Sequence, residues 1–156
     1  MKKIISTLSL LLICSATANA SAISDDLAKN YVQYCINNGF DKNKIENFAK
    51  TNNLKSLPKA TPEGSIIYFI NNITMGYING ECMLSRDNVT FNEVRDSLEN
   101  QMKSSDIHYQ AVSPNAQYIL FMPNGHPSAV FVATNKDGRI VIDGKNIVHS
   151  PMLGIP

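Results

Sequence analysis

The chain has 156 residues, 44% of them hydrophobic, with 14 Lys and Arg, 13 Asp and Glu, and a formal charge of +1. A near-neutral chain without a basic block argues against a nucleic-acid binder and against a protein held on membranes by charge. The length suits a single domain.

The first twenty residues carry the pattern of a secretory signal peptide. Two lysines precede an apolar run from Ile4 to Ile13, and small residues follow up to Ala18-Asn19-Ala20. This order predicts a signal over residues 1–20 that is cleaved between Ala20 and Ser21. The run is too short for a transmembrane helix, which needs about 20 apolar residues. We therefore predict an exported protein, periplasmic or secreted and soluble after cleavage, with one domain over 21–156.

The N-terminus has two other interpretations. Cys14 could carry a lipid, but the bulky Ile13 precedes it where lipid attachment favours a small residue. The segment could also be a buried N-terminal helix. The Ala18-Asn19-Ala20 site fits cleavage better than either. Without Lys2 and Lys3, the 14 basic residues become 12 against 13 acidic ones, a formal charge of −1.

Removal of the signal leaves two cysteines, Cys35 and Cys82. An even number in an oxidising compartment predicts a disulfide. The alternative is a catalytic thiol, which needs a neighbouring base, and neither cysteine has a histidine nearby in sequence.

The N-terminal third predicts two helices. Ser24 is a candidate N-cap, and Asp25 and Asp26 suit the positive end of the first helix dipole. Gly39 ends this helix. A second helix begins at Asp41, and the segment from Lys55 to Gly64 is predicted to be a loop because it contains two prolines. The predicted buried positions of the two helices are Leu27, Tyr31, Tyr34, Cys35, Ile45, Phe48 and Ala49.

Strands follow from Ser65. Ile66–Ile70 is apolar on both faces, as expected for a covered strand. Asn79-Gly80 lies between strand-like runs and predicts a hairpin. In its second strand Cys82 shares the inner face with Leu84, and Cys35 lies on the buried face of its helix. These two inferences predict that the first helix is fixed against the sheet.

A third helix is predicted from the capping box Thr90-Phe91-Asn92-Glu93. Arg95 and Glu99 are four residues apart and are expected to pair. The apolar stripe of this helix comprises Phe91, Val94, Leu98 and Met102.

The remaining sequence predicts strands and a tail. The strands are 107–112, 118–122, 129–133 and 139–142, and the tail is 144–156. The element order is ααβββαββββ. We therefore predict a single small α+β domain with two N-terminal helices, an antiparallel sheet, one further helix and C-terminal β-hairpins.

The sequence offers little for catalysis. His108, His126 and His149 are too far apart for a local metal motif, and no nucleophile elbow or phosphate-binding loop is found. No cofactor, metal or catalytic residue is predicted. Asn72-Ile73-Thr74 and Asn88-Val89-Thr90 match the glycosylation sequon, which we interpret as a coincidence at strand and helix starts.

Several segments together resemble a group of small exported bacterial envelope proteins of uncharacterised function. They are Tyr34-Cys35, a helix with Ile45 and Phe48, Leu54–Pro58, Gly80-Glu81-Cys82, a helix over 88–98 and a hairpin over 118–132. The resemblance covers most of the mature chain and implies a shared fold and disulfide. It implies no catalytic residue.

Three functions fit the sequence. The first is a non-enzymatic envelope binding protein, such as an inhibitor or an immunity-type protein, whose partner is another envelope protein. The second is a structural or accessory subunit of an envelope assembly. The third is a hydrolase that uses His126 with a distant acid. Partner contacts are predicted at Asn124 and His126, in a short loop over 123–128 that contains two prolines, and at Ile147 and Leu153 in the apolar tail.

Overall fold

The computed structural model describes residues 22–56, 65–111, 118–123, 128–135 and 137–146. They form one small α+β domain with three helices and one eight-stranded antiparallel sheet, which confirms the predicted class. The helices are α1 (22–36, ending in a π-helical turn at Val32–Ile36), α2 (Lys42–Thr51) and α3 (Phe91–Ser104). The strands are β1 (Lys55–Ser56), β2 (Ile66–Ile70), β3 (Ile73–Ile78), β4 (Glu81–Arg86), β5 (Tyr109–Ala111), β6 (Tyr118–Pro123), β7 (Ser128–Thr134) and β8 (Ile140–Asn146).

The sheet consists of two four-stranded meanders joined by α3. The strand order is β1-β2-β3-β4-β8-β7-β6-β5, so the last strand pairs with β4 at the centre. The outer strands β1 and β5 have only two and three residues. Short edge strands limit pairing with other chains.

All three helices pack on one face of the sheet. Because strand side chains alternate between faces, the register assigns each strand residue to one side. The helix-facing side chains form one buried cluster with the helix stripes. Its strand members include Tyr68, Ile73, Met75, Cys82, Leu84, Phe121, Val130, Val132, Ile140 and Ile142.

The predicted disulfide between Cys35 and Cys82 is confirmed. Both cysteines are fully buried, and their Cα atoms are 5.8 Å apart. Cys35 lies in the π-helical turn of α1, and Cys82 lies on the helix-facing side of β4. The bond therefore fixes α1 against the middle of the sheet, as the sequence predicted.

The predicted start of α1 at Ser24 is wrong, because the helix already includes residue 22 and Ser24 is buried within it. The two following acids have tertiary partners. Asp25 accepts a hydrogen bond of 2.6 Å from Ser97 Oγ on α3, and Asp26 Oδ2 lies 3.0 Å from Arg86 Nη1 on β4. The acidic pair therefore joins α1 to both neighbouring elements.

The other local signals of the first two thirds have mixed outcomes. Asn79 and Gly80 form the predicted turn with φ values of 53° and 86°. Gly39, with a φ of 62°, lies in the turn that follows α1, because the helix ends earlier, at Ile36, with Asn37 as its C-cap. The Thr90–Glu93 capping box is also confirmed. The expected Arg95–Glu99 pair is wrong, because Arg95 pairs with its neighbour Asp96 and Glu99 with Lys103.

Three predicted boundaries are corrected. Lys55–Ser56 is not loop but a short edge strand paired with β2. The strand expected over 107–112 begins at Tyr109 instead of Ile107, because the Ile107 amide donates to the Met102 carbonyl at the end of α3, and residue 112 lies outside the described residues. The last strand continues to Asn146, so residues 144–146 are not part of a tail.

The prediction that β2 is covered on both faces is also wrong. Tyr68 is buried beneath the helices, whereas its neighbour Phe69, on the opposite face, is 40% exposed. The apolar run predicted a buried strand, but in the described part of the chain the helices cover only one side of it.

Candidate functional site

The residues predicted to contact a partner, Asn124, His126, Ile147 and Leu153, lie outside the described residues, as do the cleavage-site residues Ala18, Ala20 and Ser21. They stay predictions. His149 also lies outside, and His108 is exposed, with Nε2 3.8 Å from Asp106 Oδ1.

Within the segments that the structure covers, no group of three or more His, Cys, Asp or Glu could hold a metal ion. None of the helices in those segments is long and apolar enough to cross a membrane.

The face of the sheet opposite the helices, which we call the second face, carries apolar side chains across most of its width. One register row crosses six strands from β2 to β6. Its residues are partly exposed, except for Gly76, which is buried. The row comprises Ile67, Gly76, Met83, Asp143, Phe131 and Leu120.

The rows on either side differ in charge. Val141 and Ala133 lie in one neighbouring row, on β8 and β7. The other contains Glu81 and Lys145, whose side chains form an ion pair of 3.1 Å. This pair cancels its own formal charge, so Asp143 is the one acid of this region without a paired cation among the described residues.

Asp143 lies in the middle of the second face, between Met83 of β4 and Phe131 of β7. Its Oδ1 atom is buried and has no hydrogen-bond partner among the described residues. Burial raises the pKa of this carboxyl to about 6, and the nearby charge of Glu81 adds to the rise, while the Gly144 amide and Lys145 oppose it. A desolvated carboxylate favours a partner that supplies a positive charge.

The backbone beneath Asp143 is held from the helix side. Gly144 faces the helices, and a Cβ atom there would overlap the hydroxyl of Tyr31 and approach Cε1 of Phe40 to 2.8 Å. Tyr31 is fully buried, and its hydroxyl has no hydrogen-bond partner within the segments that the structure describes. Burial, followed by the charge of Asp143, raises its pKa well above the ordinary value. The absence of a side chain at position 144 lets α1 pack directly on β8, which fixes the strand that carries Asp143.

Sequence reasoning missed Asp143 because the last strand was predicted to end at Ile142. The signal was nevertheless present in the segment Val141-Ile142-Asp143-Gly144-Lys145. Strand alternation through this segment puts Val141, Asp143 and Lys145 on one face and Ile142 with Gly144 on the other.

Comparison with known protein families, with curated proteins and with solved structures finds no match for this chain.

Proposed function

We propose that this chain is an exported binding protein without catalysis of its own, and that another protein docks on the second face. The single observation behind the proposal is the carboxyl of Asp143, one oxygen of which is buried in the middle of an apolar row and has no partner among the residues that the structure describes. The partner is expected to be an envelope protein that presents an apolar surface with one protruding Arg or Lys.

The apolar part of this surface supports docking. Met83, Phe131 and Leu120 are neither buried under the described helices nor fully exposed. Soluble proteins rarely leave a large contiguous apolar patch on the surface unless it contacts something. Aromatic and Met side chains are also enriched in the cores of interfaces.

The charge of the surface supports a cationic partner. Glu81 already pairs with Lys145, so an incoming guanidinium would find one acceptor that is not neutralised, the Asp143 carboxylate. Arg frequently dominates binding energy at the centre of an interface, because its planar group pairs with a carboxylate through two hydrogen bonds. Such a contact gains strength where water is excluded by the surrounding apolar side chains.

The surface is also rigid in construction. It lies on central strands β4, β8 and β7, which are paired on both sides, and the Cys35–Cys82 disulfide fixes the layer beneath it. A surface that does not reorganise on binding loses little entropy. This suits an inhibitor or an immunity-type protein, which remains the more specific form of the proposal, together with the predicted export and the resemblance to envelope proteins.

The test uses affinity capture from periplasmic extract followed by calorimetry with the purified partner. Asp143→Asn keeps the shape of the side chain and removes its charge, and Phe131→Ser reduces the apolar row. Asn100→Asp, at an exposed position of α3, is the matched control. We expect both face variants to lose the partner and the control to retain it.

Contradictory results are equally clear. If the captured partner binds both face variants with the affinity of the wild type, the second face is not the docking surface. A truncation that removes the predicted tail residues should end after Asn146, because residues 144–146 belong to the central strand β8. Loss of binding on that truncation, with full binding by both face variants, would assign the contact to the predicted tail residues Ile147 and Leu153.

A further inference from the structure

A second surface feature lies apart from the centre of the second face, at the end of the β2–β3 hairpin. It is a groove of about 480 Å³ bounded by the N-terminal turn of α1, the hairpin and the segment after β4. Its volume falls within the range of about 300–1,000 Å³ that is common for small-molecule sites. Its residues include Phe69, Asn72, Thr74, Arg86, Asp87 and Asn88.

An exposed aromatic ring forms one side of the groove. Phe69 is 40% exposed, and no other large hydrophobic side chain among the described residues is as exposed to solvent. An aromatic ring has a negative face, which attracts the weakly positive C–H groups of a ligand as well as burying its apolar surface.

The polar side chains of the groove are neutral and lack partners within the described part of the chain. Asn72, Thr74 and Asn88 have no side-chain hydrogen bond there. Asn72 and Asn88 both have positive φ values, 67° and 61°, in the turns that flank β3 and β4. An amide offers a donor and an acceptor together, and a hydroxyl does the same, so the three can bind a ligand rich in hydroxyl groups.

The charged side chains of the groove are already paired. Arg86 Nη1 lies 3.0 Å from Asp26 Oδ2, and Asp87 Oδ1 lies 2.8 Å from Arg139 Nε. Neither charge is therefore uncompensated, and the groove does not favour an ionic ligand. An extended peptide is disfavoured as well, because β2 is paired with β1 at Phe69 and with β3 on its other side. The backbone there offers no row of unpaired groups for strand addition.

We infer that this groove binds a short neutral saccharide. The Phe69 ring would pack against the C–H face of one sugar ring, and Asn72, Thr74 and Asn88 would bind its hydroxyl groups. This is a function beyond the proposed protein contact, because it uses different residues at the end of the sheet and needs no cation.

The experiment is a ¹⁵N–¹H NMR titration of the mature protein with cellotriose, maltotriose and N,N′,N″-triacetylchitotriose, each up to its solubility limit, and with trialanine as the peptide probe. At least one saccharide should give saturable shifts at the amides of Phe69, Asn72, Thr74 and Asn88. Phe69→Ala should abolish those shifts, and Asn72→Asp should weaken binding by about tenfold. Asn79→Asp is the matched control, because Asn79 is an exposed turn residue with a φ of 53°.

Four results would overturn the inference. They are the absence of saturable shifts with all three saccharides, shifts located away from the groove, shifts that Phe69→Ala leaves unchanged, and shifts with trialanine alone. Each variant is first checked for a folded spectrum. Capture of a protein partner through Asp143 is independent of all four results, so failure here leaves the proposed function standing.

Discussion

The contact between α1 and β8 makes a sharp prediction about Gly144. Replacement of a strand glycine by alanine normally stabilises a protein by roughly 0.5–1 kcal/mol, because glycine loses more conformational entropy on folding. Here the new methyl group would overlap the Tyr31 hydroxyl and lie 2.8 Å from both Ala129 O and Phe40 Cε1. Each of these atoms would have to move.

The overlap should outweigh the propensity gain. Overpacking in a well-packed core costs typically about 1–3 kcal/mol, and two of the three crowded groups are rings that are almost fully buried. We therefore expect Gly144→Ala to lower the free energy of unfolding by about 1–3 kcal/mol. Tyr31→Phe removes one of the three crowded atoms and should recover part of that loss, with a coupling of roughly 0.5–1.5 kcal/mol.

The assay is a double-mutant cycle by urea denaturation of wild type, Gly144→Ala, Tyr31→Phe and the double variant. Tyr31→Phe alone should be neutral or stabilising, because it removes a buried hydroxyl that has no partner in the described part of the chain. A Gly144→Ala variant as stable as the wild type would refute the close approach of α1 to β8. A cost that is unchanged in the Tyr31→Phe background would show that the hydroxyl is not the obstacle.

Three further predictions concern the disulfide, the N-cap of α3 and the titration of Asp143. The Cys35→Ala/Cys82→Ala variant should lose roughly 4 kcal/mol of stability, because the bond closes a loop of 47 residues; a melting temperature equal to that of the wild type would contradict this. Thr90→Ala should cost about 1 kcal/mol in chemical denaturation, because it removes the N-cap that accepts from the Glu93 amide, and a neutral variant would count against the cap. The folded pKa of Asp143, about 6, lies above the usual value of about 3.9. The stability linked to this group is therefore present at low pH and is lost as pH rises through 6. Asp143→Asn should remove that pH dependence of the free energy of unfolding, and an unchanged dependence would refute the burial argument.

The sequence predicted the elements whose signals are local. Asn79-Gly80 has backbone conformations that few other residues adopt, and Thr90 with Glu93 satisfies helix amides without help from the rest of the chain. The disulfide was also predictable, because periodicity placed both cysteines on buried faces. The turn and the cap depend on neighbours in sequence, and the disulfide needed no further information because Cys35 and Cys82 are the two cysteines left after the predicted signal.

The remaining features depend on partners that are distant in sequence. Asp25 and Asp26 suit a helix start, but nothing nearby indicates that Ser97 and Arg86 are their partners. The pairing of β8 with β4 could not be predicted either, because it joins the two meanders and its residues are distant in sequence. Since that pairing places Asp143 in the middle of the sheet, the candidate site could not be predicted from the sequence.

The central claim is that a partner's cation meets the Asp143 carboxylate on the second face. The most direct measurement is the affinity of the purified partner for wild type and Asp143→Asn at about pH 8 and about pH 5, on either side of the pKa of Asp143. Loss of one member of a buried charge pair costs roughly 2–5 kcal/mol, so at the higher pH the variant should bind at least about 30-fold more weakly. At the lower pH, where the wild-type carboxyl is protonated, the two affinities should converge. Equal affinities at the higher pH, or a difference that is the same at both, would contradict the account.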